Sequence, residues 1–316
     1  MSGIGIVLNP RARRNVQDPD APLRLAHQLG DDGLVKIARD REELARVAED
    51  FKRIGIEILC IAGGDGTNHV TLTGFFEVYG ATPLPIVSLL RGGTMNTVAN
   101  SLGIPRRSPE QLLHATRRAY ARRSRLPLAF VEHNVVRAGS NYGFIFGTGA
   151  IHGFISTYSD HPEPSPVWAA QVLARACAGA FTRGATLRRV AARWEGRVVF
   201  DDGASFPERD YLAIGASTVG QIGLGFKPFY RNGQLPDHYH MLGIHCSAGT
   251  FIRSLPRVWR GIGLEPKHNY ERLVQRAVLM PRHGVTGYQL DGDVFDHPGE
   301  LEVAIGPRVR ILRPQR

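Results

Sequence analysis

In the stretch CIAGGDGTNHVTLTGF, Cys60 to Phe75, an apolar run stops at two glycines, an aspartate, a third glycine and a threonine. Ile56–Ile61 ("IEILCI") is short and rich in β-branched residues, which predicts a buried strand. Thr67 onward predicts a helix to Val78, with Val70, Leu72, Phe75 and Phe76 as its apolar positions. Gly63, Gly64 and Gly66 lie between them. Glycine lets backbone approach a ligand, and the free N–H groups of a helix start attract anions. A phosphate suits that turn, and Asp65 could then bind a metal or handle a proton. The other reading is a tight turn with a capping aspartate.

The alternation continues outward from this point. Strands are expected at Ile4–Leu8, Leu34–Ala38 and Pro85–Leu90, and helices at Pro22–Leu29, Arg41–Ile54, Thr97–Leu102 and Pro109–Ala121. Strand–helix alternation means a parallel sheet covered on both faces, with ligands at the carboxyl ends of its strands. Asn9, Asp65 and Thr94 all fall just past strand ends.

After Arg122–Pro127 ("RRSRLP") the texture changes to short apolar or alternating runs. They lie at Leu128–Val136, Tyr142–Phe146, Arg197–Phe200, Tyr211–Ile214, Tyr239–Ile244, Arg272–Met280 and Leu301–Leu312. Gly and Pro punctuate them, as in a β-rich domain. Val167–Phe181 and Thr250–Gly261 read as helices between the strands. The fold class expected is α/β plus β: a doubly wound α/β nucleotide domain over 1–124 and a β-sandwich domain over 125–300. A C-terminal segment, 301–316, follows.

Composition bounds the partners. The chain has 316 residues, 43% hydrophobic and 22% charged, enough for a large core and two domains. Its net charge is +10 and its pI about 9.9, a balance that suits anionic partners. Only four of the 39 basic residues are lysine, so arginine usage alone accounts equally well for the charge. Three scattered cysteines without a CxxC argue against a disulfide framework or a zinc site. The N-terminus has no basic region ahead of a long apolar run, and no uncharged run reaches membrane-span length. A cytoplasmic location is expected, peripheral at the inner membrane surface.

Four pieces in order resemble the diacylglycerol kinase catalytic family, which includes bacterial lipid kinases, sphingosine kinases and ceramide kinases. "GGDGT" (Gly63–Thr67) resembles its nucleotide loop, and "LNP" (Leu8–Pro10) the Asn-Pro that ends its first strand. "GGTMNTVANSLGI" (Gly92–Ile104) resembles its second glycine loop and following helix, and "LDGD" (Leu290–Asp293) its late Asp-Gly-Glu. The resemblance implies an N-terminal nucleotide domain, a lipid-side β-sandwich, a C-terminal segment returning to the first domain, and nucleotide in the cleft between the two.

It also implies roles. ATP and Mg2+ are the expected cofactors. Asn9, Gly63, Gly64, Asp65, Gly66, Thr67, Gly93, Thr94 and Asn96 are the nucleotide-binding candidates, and Asp65 and Asp291 the metal candidates. Asp293 and Asp65 are the catalytic acids, since an aligned carboxylate that takes the substrate proton is worth about 10²–10⁴-fold. Thr67 and Thr94 offer hydroxyls to phosphate or cap helices, and Asn9 and Asn96 contact ribose or phosphate or shape turns. Arg11, Arg13 and Arg14 read as a solvated basic loop.

Several positions depart from the family. Asp293 is one methylene shorter than the usual glutamate, and Thr97 replaces an aspartate. His69 and Val70 stand where Asn-Glu is usual. Sphingosine kinases carry a histidine at the position of His69, a hint of a sphingoid substrate. Arg231–Asp237 ("RNGQLPD") only loosely echoes the family's Asp-Gly-x-Leu-Asp turn, which argues against a structural magnesium there.

The function expected is an ATP-dependent lipid kinase acting on a diacylglycerol or sphingoid-type hydroxyl. Its partners are the lipid substrate and an anionic membrane surface, not nucleic acid. The alternatives are an NAD kinase-like enzyme, which shares Gly-Gly-Asp-Gly, and a non-catalytic nucleotide or lipid sensor. Phe251–Leu264 and Val167–Trp194 mix aromatic and basic residues, which suits either an anionic interface or core packing.

Overall fold

The computed structural model describes residues 3–161, 165–182 and 190–313. The side chains of Arg13 and Arg14, and the part of the Val167–Trp194 segment over 183–189, lie outside the described residues. The chain divides into two compact units: residues 1–133 with 307–316, and residues 134–306. These boundaries differ from the 124/125 and 300/301 divisions expected from texture. They fall inside two strands, β5 (Phe130–Ala138) and β16 (Leu301–Leu312), where composition does not change.

In the first unit, β1 (Ile4–Leu8), β2 (Gly33–Ile37), β3 (Ile58–Ala62) and β4 (Ile86–Leu89) form a parallel sheet in the order β2-β1-β3-β4. Every residue of β1, β3 and β4 is buried, which explains their unbroken apolar sequences. The end of β16 adds to the sheet, with Ile311 paired parallel to Val87.

The helices are α1 (Arg13–Gln17), α2 (Ala21–Leu29), α3 (Arg41–Ile54), α4 (Asp65–Tyr79), α5 (Thr97–Ser101) and α6 (Pro109–Ala121). Their ends are chemically marked. Asp40 caps α3 by accepting from Glu43 N, Gly55 closes it in the left-handed region, and Ser108 and Gln111 form a capping box on α6. α2 packs with α6, and α3 with α4. Right-handed crossovers require this arrangement, because the chain leaves β1 toward β2 and then reverses toward β4. The reversal lies between β1 and β3, the switch point at which such sheets bind ligands. Asn9 and the Gly63–Thr67 turn follow those two strands.

The second unit is a sandwich of two antiparallel sheets. One contains β8 (Trp194–Phe200), β9 (Ser205–Tyr211), β13 (Arg276–Pro281) and β16, in the order β16-β13-β8-β9. β5 pairs with β16 and with β6 (Asn141–Gly143). The other runs β12-β11-β10-β7-β14-β15. Its strands are β7 (Ile145–Gly149), β10 (Ala213–Ser217), β11 (Tyr239–Ile244), β12 (Asn269–Val274), β14 (Val285–Leu290) and β15 (Asp293–Pro298). Phe146, Tyr288 and Leu290 from one sheet meet Trp194, Val198 and Leu279 from the other in a common buried core. The Trp194 indole donates to Thr286 Oγ1 at 3.2 Å, so it enters the core with its N–H paired.

Expected strands are corrected here. Arg272–Met280 is two strands, β12 and β13, in different sheets. Tyr142–Phe146 breaks into β6 and β7 at Phe144. The β14–β15 hairpin and the helix α7 (Ala150–Ser159) were not legible, because Gly, Asp and His interrupt their apolar patterns. Two further helices are α8 (Pro166–Thr182) and α9 (Ala248–Trp259). Among the described residues, no helix is long and apolar enough to cross a membrane.

Candidate functional site

α4 begins at Asp65, inside the glycine motif and earlier than its sequence suggests, with Gly64 as its extended N-cap. Asn68 N donates to Gly64 O at 3.0 Å, the first bond of the helix. The preceding N–H groups have no intrahelical acceptor and carry the positive end of the helix dipole.

The second glycine loop lies against the first, backbone to backbone. Gly92 N donates to Gly63 O at 2.7 Å. A Cβ on Gly93 would sit 2.3 Å from Gly64 Cα, and one on Gly64 would sit 2.8 Å from Gly93 Cα. These glycines are therefore required by loop-on-loop packing, whatever the ligand.

Asp65 locks the pair. Its Oδ2 accepts from Thr97 N at 2.7 Å and its Oδ1 from Val98 N at 3.0 Å, capping the five-residue α5. Asn96, the residue preceding α5, does not cap it. It takes a left-handed conformation at φ 47° and folds back on Gly93, accepting from its N–H at 3.1 Å and donating to its carbonyl at 2.6 Å. Burial raises the Asp65 carboxyl above its ordinary value, while the Thr97 and Val98 N–H groups and the Arg91 charge oppose that shift.

The other first-unit candidates gather at these loops. Asn9 Nδ2 lies 3.4 Å from Thr67 Oγ1, and Asn9 Oδ1 accepts from Arg11 N at 2.9 Å, so both of its polar ends shape the turn. Thr67 is buried, and Thr94 is half-exposed at the tip of the second loop. His69 is only 1% exposed on α4.

Sequence reasoning missed two supports. Asn15 Nδ2 donates to Asn9 O at 2.7 Å and Ala62 O at 3.3 Å, joining the ends of β1 and β3. Arg91, at φ 52°, donates to Ile104 O at 3.0 Å and Asn100 Oδ1 at 2.8 Å beneath the second loop. Its position directly before Gly-Gly-Thr was the available signal. Burial and repulsion from Arg106 both lower the Arg91 guanidinium's affinity for its proton, and Asp65 counters them.

In the second unit, Asp291 and Gly292 form the two-residue turn of the β14–β15 hairpin, at φ 50° and 99°. The Asp291 carboxylate is buried and accepts from Phe144 N at 3.0 Å and Ile145 N at 2.9 Å. It fills the break between β6 and β7. Gln289, which sequence reasoning also missed, donates to Ile145 O at 3.2 Å and accepts from Gly292 N at 3.0 Å. Asp293 opens β15 and is half-buried.

Asp65 and Asp291 each accept from two backbone N–H groups, and among the described residues no three His, Cys, Asp or Glu side chains cluster to hold an ion. At the RNGQLPD turn, Asn232 donates to Val219 O at 2.8 Å and accepts from His240 N at 3.0 Å, so the loop is tied by protein groups.

The diacylglycerol kinase catalytic domain pattern matches residues 4–126. The probable lipid kinase YegS of Escherichia coli O6:K15:H31 is 31% identical over 104 residues, covering 32% of this chain and 33% of that protein. The corresponding protein of Shigella flexneri is 30% identical over the same shares. The alignment thus spans about a third of the curated relatives' length. A diacylglycerol kinase structure from Bacillus anthracis str. Sterne covers 99% of this chain and 97% of its own, with a TM-score of 0.65 at 12% identity, which shows a shared fold. The sequence likeness to the diacylglycerol kinase catalytic domain thus lies within residues 4–126.

Proposed function

We propose that the protein is an ATP-dependent lipid kinase that phosphorylates a hydroxyl of a diacylglycerol or sphingoid-type lipid. The observation that carries this reading is the pair of glycine loops at the switch point, held together by Asp65 and by the Gly92–Gly63 hydrogen bond. Phosphoryl transfer depends on positioning and charge neutralisation more than on covalent chemistry. Rigid loops presenting backbone N–H groups, with Arg91 behind them, supply both for a triphosphate.

Within this reading the roles divide. Gly63–Thr67 and Gly93–Asn96 hold the nucleotide, and Asp65 is a positioning residue that keeps the two loops in one geometry. Asp293 takes the substrate proton. Asp291 orients it, by fixing the hairpin whose next strand Asp293 begins. Magnesium belongs to the nucleotide in this scheme, since the described side chains make no cage for it. The unit over 1–133 and 307–316 is the nucleotide domain, and that over 134–306 the lipid-side domain.

The lipid is met at the cytoplasmic face of the membrane. α9 supports this assignment. Phe251 packs against the Leu212–Ile244–Cys246 cluster and Val258 is buried, so one side of the helix belongs to the core. Trp259 is 56% and Ile262 47% exposed, beside the exposed Arg253, Arg257 and Arg260. An exposed aromatic among arginines suits an anionic interface.

The test is turnover of labelled ATP with micelles of diacylglycerol, sphingosine and ceramide, with NAD as a soluble acceptor. Lipid-dependent transfer supports the reading. Phosphorylation of NAD alone, or no transfer to any acceptor, overturns it.

A further inference from the structure

A groove of about 590 Å3 runs along the outer face of α6, and none of its lining residues belongs to the glycine loops. Positions 111, 114, 118 and 122 follow helical spacing, so they share one face while Leu112, Leu113, Thr116 and Tyr120 fill the core on the other, and Arg107 precedes the helix. The opposite wall is Leu126–Ala129, held by the bond from Arg313 N to Ala129 O at 2.8 Å.

The charge pattern of this groove is unlike the rest of the unit. Arg107, Arg118, Arg122 and Arg313 line it. Elsewhere in the unit arginine usually meets a carboxylate: Arg24 with Asp18, Arg39 with Glu43, Arg41 with Glu77, Arg53 with Asp50. Even the sequence neighbours of the groove arginines are paired, Arg117 with Asp32 and Arg123 with Glu57. Among the described residues, none of the four groove arginines has an acidic partner. The single groove carboxylate, Glu110, lies 3.5 Å from Arg24.

The wall facing them is apolar: Leu126, Pro127 and Leu128, with Leu126 50% exposed. Guanidinium forks match phosphate oxygens in pairs, and a volume of this size lies within the range of about 300–1,000 Å3 usual for small-molecule sites. It holds a headgroup and a few methylenes, not two acyl chains. We propose that this groove is a second ligand site, which takes the phosphate-monoester headgroup of an anionic lipid and lays the first carbons of its chains on Leu126, Pro127 and Leu128.

The experiment uses the full chain and two vesicle types of matched surface charge, phosphatidylcholine doped with phosphatidate or with phosphatidylglycerol. Arg118→Gln with Arg122→Gln should weaken binding to phosphatidate vesicles about 30-fold, since each guanidinium gives up paired, charge-assisted hydrogen bonds to the monoester in addition to its charge. Both positions are exposed, so the fold is not at stake. The loss on phosphatidylglycerol vesicles should be several times smaller, and ATP affinity should not change. Leu126→Gln should cost several-fold on phosphatidate alone. Unchanged binding, or equal losses on both vesicle types, overturns the site. Displacement of phosphatidate vesicles by inorganic phosphate as effectively as by short-chain phosphatidate overturns its apolar half.

Discussion

The Asp65 carboxylate accepts the backbone N–H of Thr97 at 2.7 Å, across 32 residues of chain. One acid inside the first glycine loop thereby caps the helix that follows the second. The two loops become a single rigid object, and the position of one sets the position of the other.

Asp65→Asn keeps one acceptor and loses the other, because its amide nitrogen faces an N–H donor. The loops should shift, and lipid-dependent turnover should fall about 100-fold, the cost of a misplacement near 1 Å. Retention of more than about a tenth of wild-type turnover would refute the locking role, whose expected effect is tenfold larger.

The same carboxyl makes stability depend on pH. Its pKa is raised in the folded state by burial, so the folded chain binds its proton more tightly than the unfolded chain does. The stability it contributes is full below the ordinary carboxylate value and is lost as pH rises through the raised one. Relative to Asp65→Asn, wild type should therefore lose stability with rising pH across that window and then level off. Paired denaturant titrations over the acid range measure this, and parallel curves would show that the acid titrates normally.

Gly93→Ala tests the contact between the loops. The added methyl would meet Gly64 Cα at 2.3 Å, and backbone cannot swing aside as a side chain can. The loops should separate at a cost of about 1–3 kcal/mol in stability, typical of overpacking. Nucleotide affinity should fall more than stability does, which a fluorescent ATP analogue beside thermal unfolding would detect. Normal affinity would mean that loop spacing does not govern binding.

Asp291 and Asp293 should behave oppositely. Asp291→Ala leaves the Phe144 and Ile145 N–H groups without their acceptor and should destabilise the second unit by roughly 1–3 kcal/mol per buried group. Asp293→Asn should leave unfolding unchanged and reduce lipid-dependent turnover about 10²–10⁴-fold with ATP affinity intact, as loss of a general base predicts. Near-normal turnover would move proton transfer away from Asp293, and a large loss of ATP affinity would make it a nucleotide contact.

Replacing Arg253, Arg257 and Arg260 of α9 together with Gln should weaken sedimentation on anionic vesicles and spare ATP binding. The wild-type interaction should also fade with added salt, because exposed charges are screened within about 10 Å at 0.1 M. Sedimentation equal to wild type would leave α9 with its packing role alone.

The architecture was legible wherever the signal is local. Unbroken apolar pentads mark β1 and β3, and Asp40, Gly55 and Ser108 mark helix ends through bonds that reach only a few residues. Those signals located the strand–loop–helix of Gly63–Thr67 and the alternation around it. They failed at the β14–β15 hairpin, where Asp291-Gly292 reads as chemistry and is also a turn. They failed again at Gln275, where one apparent strand is two, because no local property states which sheet a strand will join.

The strand–helix alternation of the first unit, the glycine loops and the set of acids follow from the sequence by itself, because backbone geometry and apolar periodicity are written within a few residues. What each acid contacts was decided only by tertiary structure. Asp65 and Asp291 accept from Thr97, Val98, Phe144 and Ile145, which arrive from distant parts of the chain. The four groove arginines, which have no acidic partner among the described residues, show the same limit. A chain of net charge +10 guarantees unpaired cations, but only folding determines which carboxylates come within reach of which guanidinium groups.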